Sequence, residues 1–216
     1  MSFKPTHAAA RMLPAVLGLF LLAGCQMGPS ISTARLIQHQ AFIDPTGLKE
    51  SQVCAAVKIH VSAPQKWVAL EPKHSALYTH MQWRSPSKMT GLGVCYIHLP
   101  LPLPADMIVW LAEKEYSKKS DDGRIIAHWE DAMGRPWFEA ENNRYHVRGY
   151  VFTKGFEAWI IYCGYKREQP PRAAEMGVAA RALETIVPTP FAREVPQRPL
   201  AAAQTAKATL PGKSCH

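Results

Sequence analysis

Residues 124–165 read RIIAHWEDAMGRPWFEAENNRYHVRGYVFTKGFEAWIIYCGY. Four runs of strand-forming residues lie in this stretch, at about 124–131, 134–141, 144–153 and 156–165. Ala132-Met133-Gly134-Arg135, Asn142-Asn143 and Lys154-Gly155 separate them. The runs are rich in β-branched and aromatic residues, and the separators have the lengths and residue types of hairpin connections. The stretch predicts a four-stranded antiparallel meander.

Upstream, Pro100 to Pro104 break the chain, and Ile108, Leu111, Ala112, Glu115 and Tyr116 then recur at helical spacing from about Asp106. That helix is expected to end near Ser120-Asp121-Asp122-Gly123. Before it, Leu92–Leu99 and Ala76–Trp83 read as strands joined by the turn Ser85-Pro86-Ser87-Lys88. Val57, Ile59 and Val61 alternate with Lys58, His60 and Ser62, the period of a half-buried strand, which Ala63-Pro64 stops. Downstream, Pro170-Pro171 precedes a helix over Arg172–Ile186, with Ala174, Val178, Ala182 and Leu183 on one face. Pro188 and Pro190 end it. Three strands, a helix, a four-strand meander and a helix make an α+β sandwich, an antiparallel sheet of about six to seven strands with two helices packed on it. The domain is expected over 53–188, long enough for a single core.

The flanks differ in composition. Residues 25–52 mix polar, Gly and Pro positions without a sustained period and read as a tether, with a short helix around Ala34–Ala41. Residues 189–216, rich in Pro, Ala, Lys and Arg, read as a disordered basic tail. The chain has 216 residues, is 47% hydrophobic and carries a formal charge of +8. It has no run of about 20 apolar residues, which excludes a polytopic membrane protein. The excess charge sits at the two ends, at Lys4 and Arg11 and among Arg193, Arg198, Lys207 and Lys213. The central domain carries no basic stripe, so no nucleic-acid partner is expected.

Residues 1–24 read as an export signal. Lys4 and Arg11 precede the twelve apolar residues Met12–Ala23, within the length of a signal-peptide core and short of a membrane span. The leader ends Leu22-Ala23-Gly24-Cys25. This resembles the bacterial lipoprotein lipobox. The resemblance implies cleavage before Cys25, acylation of its thiol and amino end, and a lipid bilayer as the chain's first partner. Gln26, where an Asp would favour inner-membrane retention, points to the outer membrane, facing the periplasm. Several acyl chains anchor stably where one binds only marginally.

The domain has a resemblance of its own. Val57–Ser62, Ala63-Pro64, Trp67, a helix after Leu103-Pro104, a meander containing Gly134 and Tyr150, and a closing helix over Ala173–Ile186 are similar to the PsbP-like fold. That family holds a thylakoid-lumen photosystem protein and bacterial lipoproteins, and the resemblance implies a module that binds a protein or an envelope component. It carries over no site residues.

Residues able to carry chemistry are few. With Cys25 lipidated, Cys54, Cys95, Cys163 and Cys215 remain, an even set that permits two disulfides in any of three pairings. The sequence has no Cys-x-x-Cys. His60, His80, His98, His128 and His146 each fall on the more polar side of a separate strand, where Trp83, Trp129 and Trp159 mark the apolar sides. Were these polar sides to share one sheet face, His80 and His98 on consecutive strands, with Glu130, would be the first candidates for a metal. The competing reading is ordinary sheet-face histidines. Asp121, Asp122, Glu130, Asp131, Glu139 and Glu141 offer carboxylates near hairpin ends for a hydrolase. With no Gly-x-Ser-x-Gly and no phosphate loop, and with Gly91-Leu92-Gly93 only a turn signal, the chain is read as a non-enzyme without a cofactor.

Overall fold

The computed structural model describes Leu36, His39 and residues 43–119, 122–168 and 172–192, with side chains 115–119 left out. The leader, Cys25, most of the tether and residues 193–216 with Cys215 lie outside the described residues. The chain runs β1 (Gln52–Cys54), a 3-10 turn (Ala55–Val57), β2 (Ile59–Val61), β3 (Val68–Ala69), β4 (Lys73–His74), β5 (Tyr78–Arg84) and β6 (Thr90–His98). Then come α1 (Ala105–Lys119), β7 (Arg124–Glu130), β8 (Pro136–Glu141), β9 (Tyr145–Lys154), β10 (Glu157–Lys166), α2 (Ala173–Thr185), β11 (Val187–Pro188) and the short α3 (Thr189–Ala192). None of the described helices is long and apolar enough to cross a membrane.

The main sheet has eight strands in the order β3-β5-β6-β10-β9-β8-β7, with β4 also on β5. All pairs are antiparallel, so the fold is α+β. The meander is β7 to β10, and it forms because each turn is short enough to return the chain beside itself. Asp131 caps its first turn, accepting from the backbone N–H of Met133 at 2.8 Å, while Gly134 takes a φ of 80° that a β-carbon would strain.

The strand expected over Val57–Ser62 is shorter and belongs elsewhere. Val57 closes the 3-10 turn, Lys58 takes the left-handed conformation at φ 51°, and only Ile59–Val61 is extended. This β2 lies in a separate three-stranded sheet, β1-β2-β11, not in the main one. Pro188 is tolerated in β11 because that strand is an edge.

Two cores lie on the two faces of the main sheet. On one face Trp83, Leu92, Val94, Tyr150, Phe152, Trp159 and Ile161 are buried under α2 and the small sheet. On the other, Phe138, Ala140, Val151 and Ala158 meet Ile108 and Val109 of α1. Buried on both faces, the middle of β9 reads Tyr150-Val151-Phe152 without a polar break. Each such fully buried side chain contributes about 1.5–3 kcal/mol. Ala179 and Ala182 keep α2 close to the sheet, and Trp159 Nε1 donates to Val57 O at 2.9 Å, tying the small sheet to the large one.

The boundaries 53 and 188 are too narrow. Leu36 and Leu48 on one side and Phe191 on the other are buried in the same core, with Phe191 5.2 Å from the Phe152 ring. Lys49 N–H donates to Ala63 O and Gln65 N–H to Gly47 O, stitching the expected tether to the domain. These apolar residues lie in segments without a sustained period, so the sequence did not mark them as core.

Candidate functional site

The face covered by α1 is covered unevenly, because α1 packs over β7, β8 and β9. Toward β5 and β6 the same face stays half-open. The strand register places Tyr78, His80, Gln82 and Arg84 of β5 there, beside Gly91, Gly93, Cys95 and Ile97 of β6. Tyr162 of β10 stands opposite Gly93, and Lys73 of β4 opposite His80.

Gly93 makes the arrangement possible. A β-carbon there would stand 2.4 Å from Tyr162 Cζ, so only a bare backbone lets the phenol lie across the sheet toward β5. Gly91 and Gly93 are therefore strand residues forming a low floor, not the turn expected of them. At the end of its reach, Tyr162 Oη lies 2.6 Å from His80 Nε2 and accepts from Gln82 Nε2 at 3.0 Å. The phenol proton finds its acceptor when Tyr162 donates to His80 Nε2 and His80 carries its own proton on Nδ1. The two rings stack at 6.0 Å.

The electrostatics keep this trio neutral. Burial lowers the His80 pKa, and the nearby Lys73 charge lowers it further. Burial raises the Tyr162 pKa far above its ordinary value, although the Gln82 hydrogen bond opposes the shift. Cys95 is pushed up to about 12 by burial, so its thiol is no ready nucleophile. What remains is a fixed set of neutral hydrogen-bonding groups on a flat floor, with Tyr78 38% exposed at its margin.

A second polar cluster is buried and positions elements. The Arg135 side chain is 1% exposed. Its Nε meets Asp131 Oδ2 at 2.7 Å, its Nη2 meets Glu184 Oε2 at 2.8 Å, and its guanidinium lies 4.3 Å from the Tyr150 ring centre. His39 Nε2 reaches the same Glu184 oxygen at 2.9 Å. Burial raises the Glu184 pKa, but His39 and Arg135 outweigh it and hold the carboxyl below its ordinary value. Asp131 is likewise raised by burial and brought lower overall by Trp137 and Arg135. The cluster ties the β7–β8 turn, α2 and His39 together.

The histidines expected to converge do not. His80 and His128 lie on the half-open face, but β6, β10, β9 and β8 separate their strands, roughly 24 Å at the usual spacing. His98 and His146 lie on the opposite face, and His60 is in the small sheet. His80 and His98 therefore point to opposite sides. Glu130 shares the His80 face but sits on the far edge strand. The within-strand alternation was legible, but the sheet order that scatters it was not. Among the described residues no group of three or more His, Cys, Asp or Glu is placed to hold a metal.

Cys54, Cys95 and Cys163 are free thiols in this structure, and Cys95 and Cys163 face opposite sides of the sheet. Cys54 Sγ instead donates to Met81 Sδ at 3.4 Å. Most of the hairpin carboxylates have partners of their own. Glu139 meets His146 at 2.7 Å, Glu141 meets Arg124 and Arg167, and Asp122 accepts from the Asn143 backbone. The recess lined by Asp122, Arg124, Glu141, Asn142, Asn143 and Arg167 is shallow and open to solvent.

No protein-family model matches the chain, and comparison with curated proteins finds no match. Comparison with solved structures finds likenesses of fold. The solution structure of cyanobacterial PsbP (CyanoP) from Synechocystis sp. PCC 6803 is similar at a TM-score of 0.47 and 13% identity, over 68% of this chain and 95% of that one. The structural resemblance is to cyanobacterial PsbP. A crystal structure from Bacteroides thetaiotaomicron VPI-5482 is similar at a TM-score of 0.35 and 8% identity, over 65% of this chain and 48% of that one. Both are likenesses of fold.

Proposed function

We propose that the chain is a bacterial envelope lipoprotein, held by acylated Cys25 in the outer membrane and facing the periplasm. Its domain serves as a binding module for a protein or another envelope component. The observation that carries the binding reading is the half-open sheet face, where Gly93 lets Tyr162 lie flat and meet His80 and Gln82. A flat, glycine-floored patch with neutral groups held in place suits recognition, because its hydrogen-bonding capacity is fixed before a partner arrives. The same neutrality favours a binder over an enzyme. His80 is a poor proton acceptor there, Tyr162 stays protonated, and the Cys95 thiol is pushed up to about 12.

A photo-reactive residue in place of Tyr78, in intact cells, tests the binding reading. A discrete adduct that disappears with Gln82→Ala supports it, and an adduct pattern untouched by that change refutes it. Cys25→Ala tests the anchor and should move the protein to the soluble envelope fraction or leave the leader uncut. A correctly cleaved variant still in the membrane fraction would show the anchor assignment to be wrong.

A further inference from the structure

One end of the main sheet exposes apolar groups that the binding face does not use. Leu77 is 44% exposed and Phe156 53%. They flank the end of β6 on its two sides, since His98 N–H donates to Leu77 O and Leu99 N–H donates to Phe156 O at 2.7 Å. The run Pro100-Leu101-Pro102-Leu103-Pro104 leaves the same end toward α1, with both leucines half-exposed. Lys58 and Lys154 flank the tip. Lys58 pairs with Glu157, and Lys154 Nζ donates to Pro190 O. With Asp106 in the first turn of α1, the fixed charge at this end is close to balanced. The tip is thus apolar at its point with Lys58 and Lys154 beside it, the composition of a group that enters a bilayer interface.

The last described residues lie toward this tip, and His39 is held partway along the sheet. Ala192 follows Phe191, whose ring lies under Lys154 Nζ at 5.0 Å. His39 docks on Glu184, one residue before α2 ends, near Tyr150, whose hydroxyl donates to Leu183 O. Tyr150 is four residues from the end of β9, about 13 Å. The eleven steps from Cys25 to Leu36, which is buried in the core, span at most about 40 Å. An acylated Cys25 therefore holds the tip within reach of the bilayer, at a high effective concentration, without forcing contact.

We propose that Leu77, Phe156 and the Pro100–Pro104 loop seat in the interface of the bilayer that acylated Cys25 enters, standing the domain on its tip with the binding face to the side. The proposal takes its bilayer from the anchor reading of Cys25, whereas the contact itself is argued from the tip. The test places a photo-reactive residue at Phe156 of the full chain in intact cells, and at Asn143, in the turn at the opposite end, as control. Phospholipid adducts at 156 at least tenfold above those at 143 are expected. Equal yields, or adducts at 156 that are protein, overturn the proposal. In vitro, transfer of the acylated chain between phospholipid vesicles should be about tenfold faster with Leu77→Glu and Phe156→Glu together, and an unchanged rate overturns it. The mass of Cys25 in the purified chain reports the anchor separately. If Cys25 is unacylated the anchor reading fails, and the adducts at 156 still decide the tip.

Discussion

Replacing Arg135 by Met removes a guanidinium but keeps most of its apolar length. Two carboxylates, those of Asp131 and Glu184, then lose their shared cation. Breaking a buried ion pair by deleting one partner costs about 3–5 kcal/mol. The structure favours the lower end. Asp131 keeps the Met133 and Arg135 backbone N–H groups and Trp137 Nε1, and Glu184 keeps His39 with its side chain 26% exposed. About 3 kcal/mol corresponds to a fall in Tm of roughly 6–12 °C for a domain of this size. Urea unfolding followed by tryptophan fluorescence, at pH 7 and pH 5, measures it. The pH dependence has a definite sign. In the wild type both carboxyls are held below their ordinary values, so their contribution is complete above the unfolded carboxylate range and is lost only as pH falls below it. In Arg135→Met the burial that raises both carboxyls is opposed less. They take up protons at a higher pH than in the wild type, so the loss shrinks as pH falls through the carboxylate range. A loss under about 1 kcal/mol at pH 7, or a loss that grows as pH falls, would refute the account of this cluster.

Four further outcomes are expected. Tyr162→Phe leaves His80 and Gln82 without their common partner and should cost about 1–2 kcal/mol in urea unfolding. Gly93→Ala puts a β-carbon 2.4 Å from Tyr162 Cζ and should swing the ring off the sheet at about 1–3 kcal/mol. Because both changes lose the same contacts, the double variant should cost less than their sum, and strict additivity would count against the geometry. A fragment limited to residues 53–188 lacks Leu36, Leu48 and Phe191 and should unfold several kcal/mol more easily than the full chain, with equal midpoints as the contrary result.

Local structure was legible because it rests on local signals. The two helices and the four strands of the meander stand within about two residues of where period and turn chemistry place them, since Asn142-Asn143 and Lys154-Gly155 leave the chain little choice. Long-range order was not legible in the same way. Nothing within Ile59–Val61 says that it pairs with Gln52–Cys54 and Val187–Pro188 instead of joining the large sheet. The histidines show the consequence. Alternation fixes which side of its own strand each imidazole takes, but a one-residue difference in register moves a side chain to the other face. With Tyr78 opposite Ile97, His80 and His98 are committed to opposite faces.

The glycines of β6 did carry a signal. Glycine inside a strand weakens it, so two glycines two residues apart in Thr90–His98 imply that the floor they leave bare on one face is occupied or used. Position 93 is occupied, by the Tyr162 ring. At position 91 a β-carbon would meet only Trp83 O, at 3.7 Å, and that part of the floor is open. A partner lying across β6 beside Tyr162 would therefore find bare backbone at Gly91 and fixed polar groups at Gln82 and His80. Gly91→Val separates the two roles of these glycines. It should leave stability nearly unchanged, because space is available, yet weaken capture of the partner by the photo-reactive residue at position 78. Capture at the wild-type level in a folded Gly91→Val variant would show that the partner does not approach the floor.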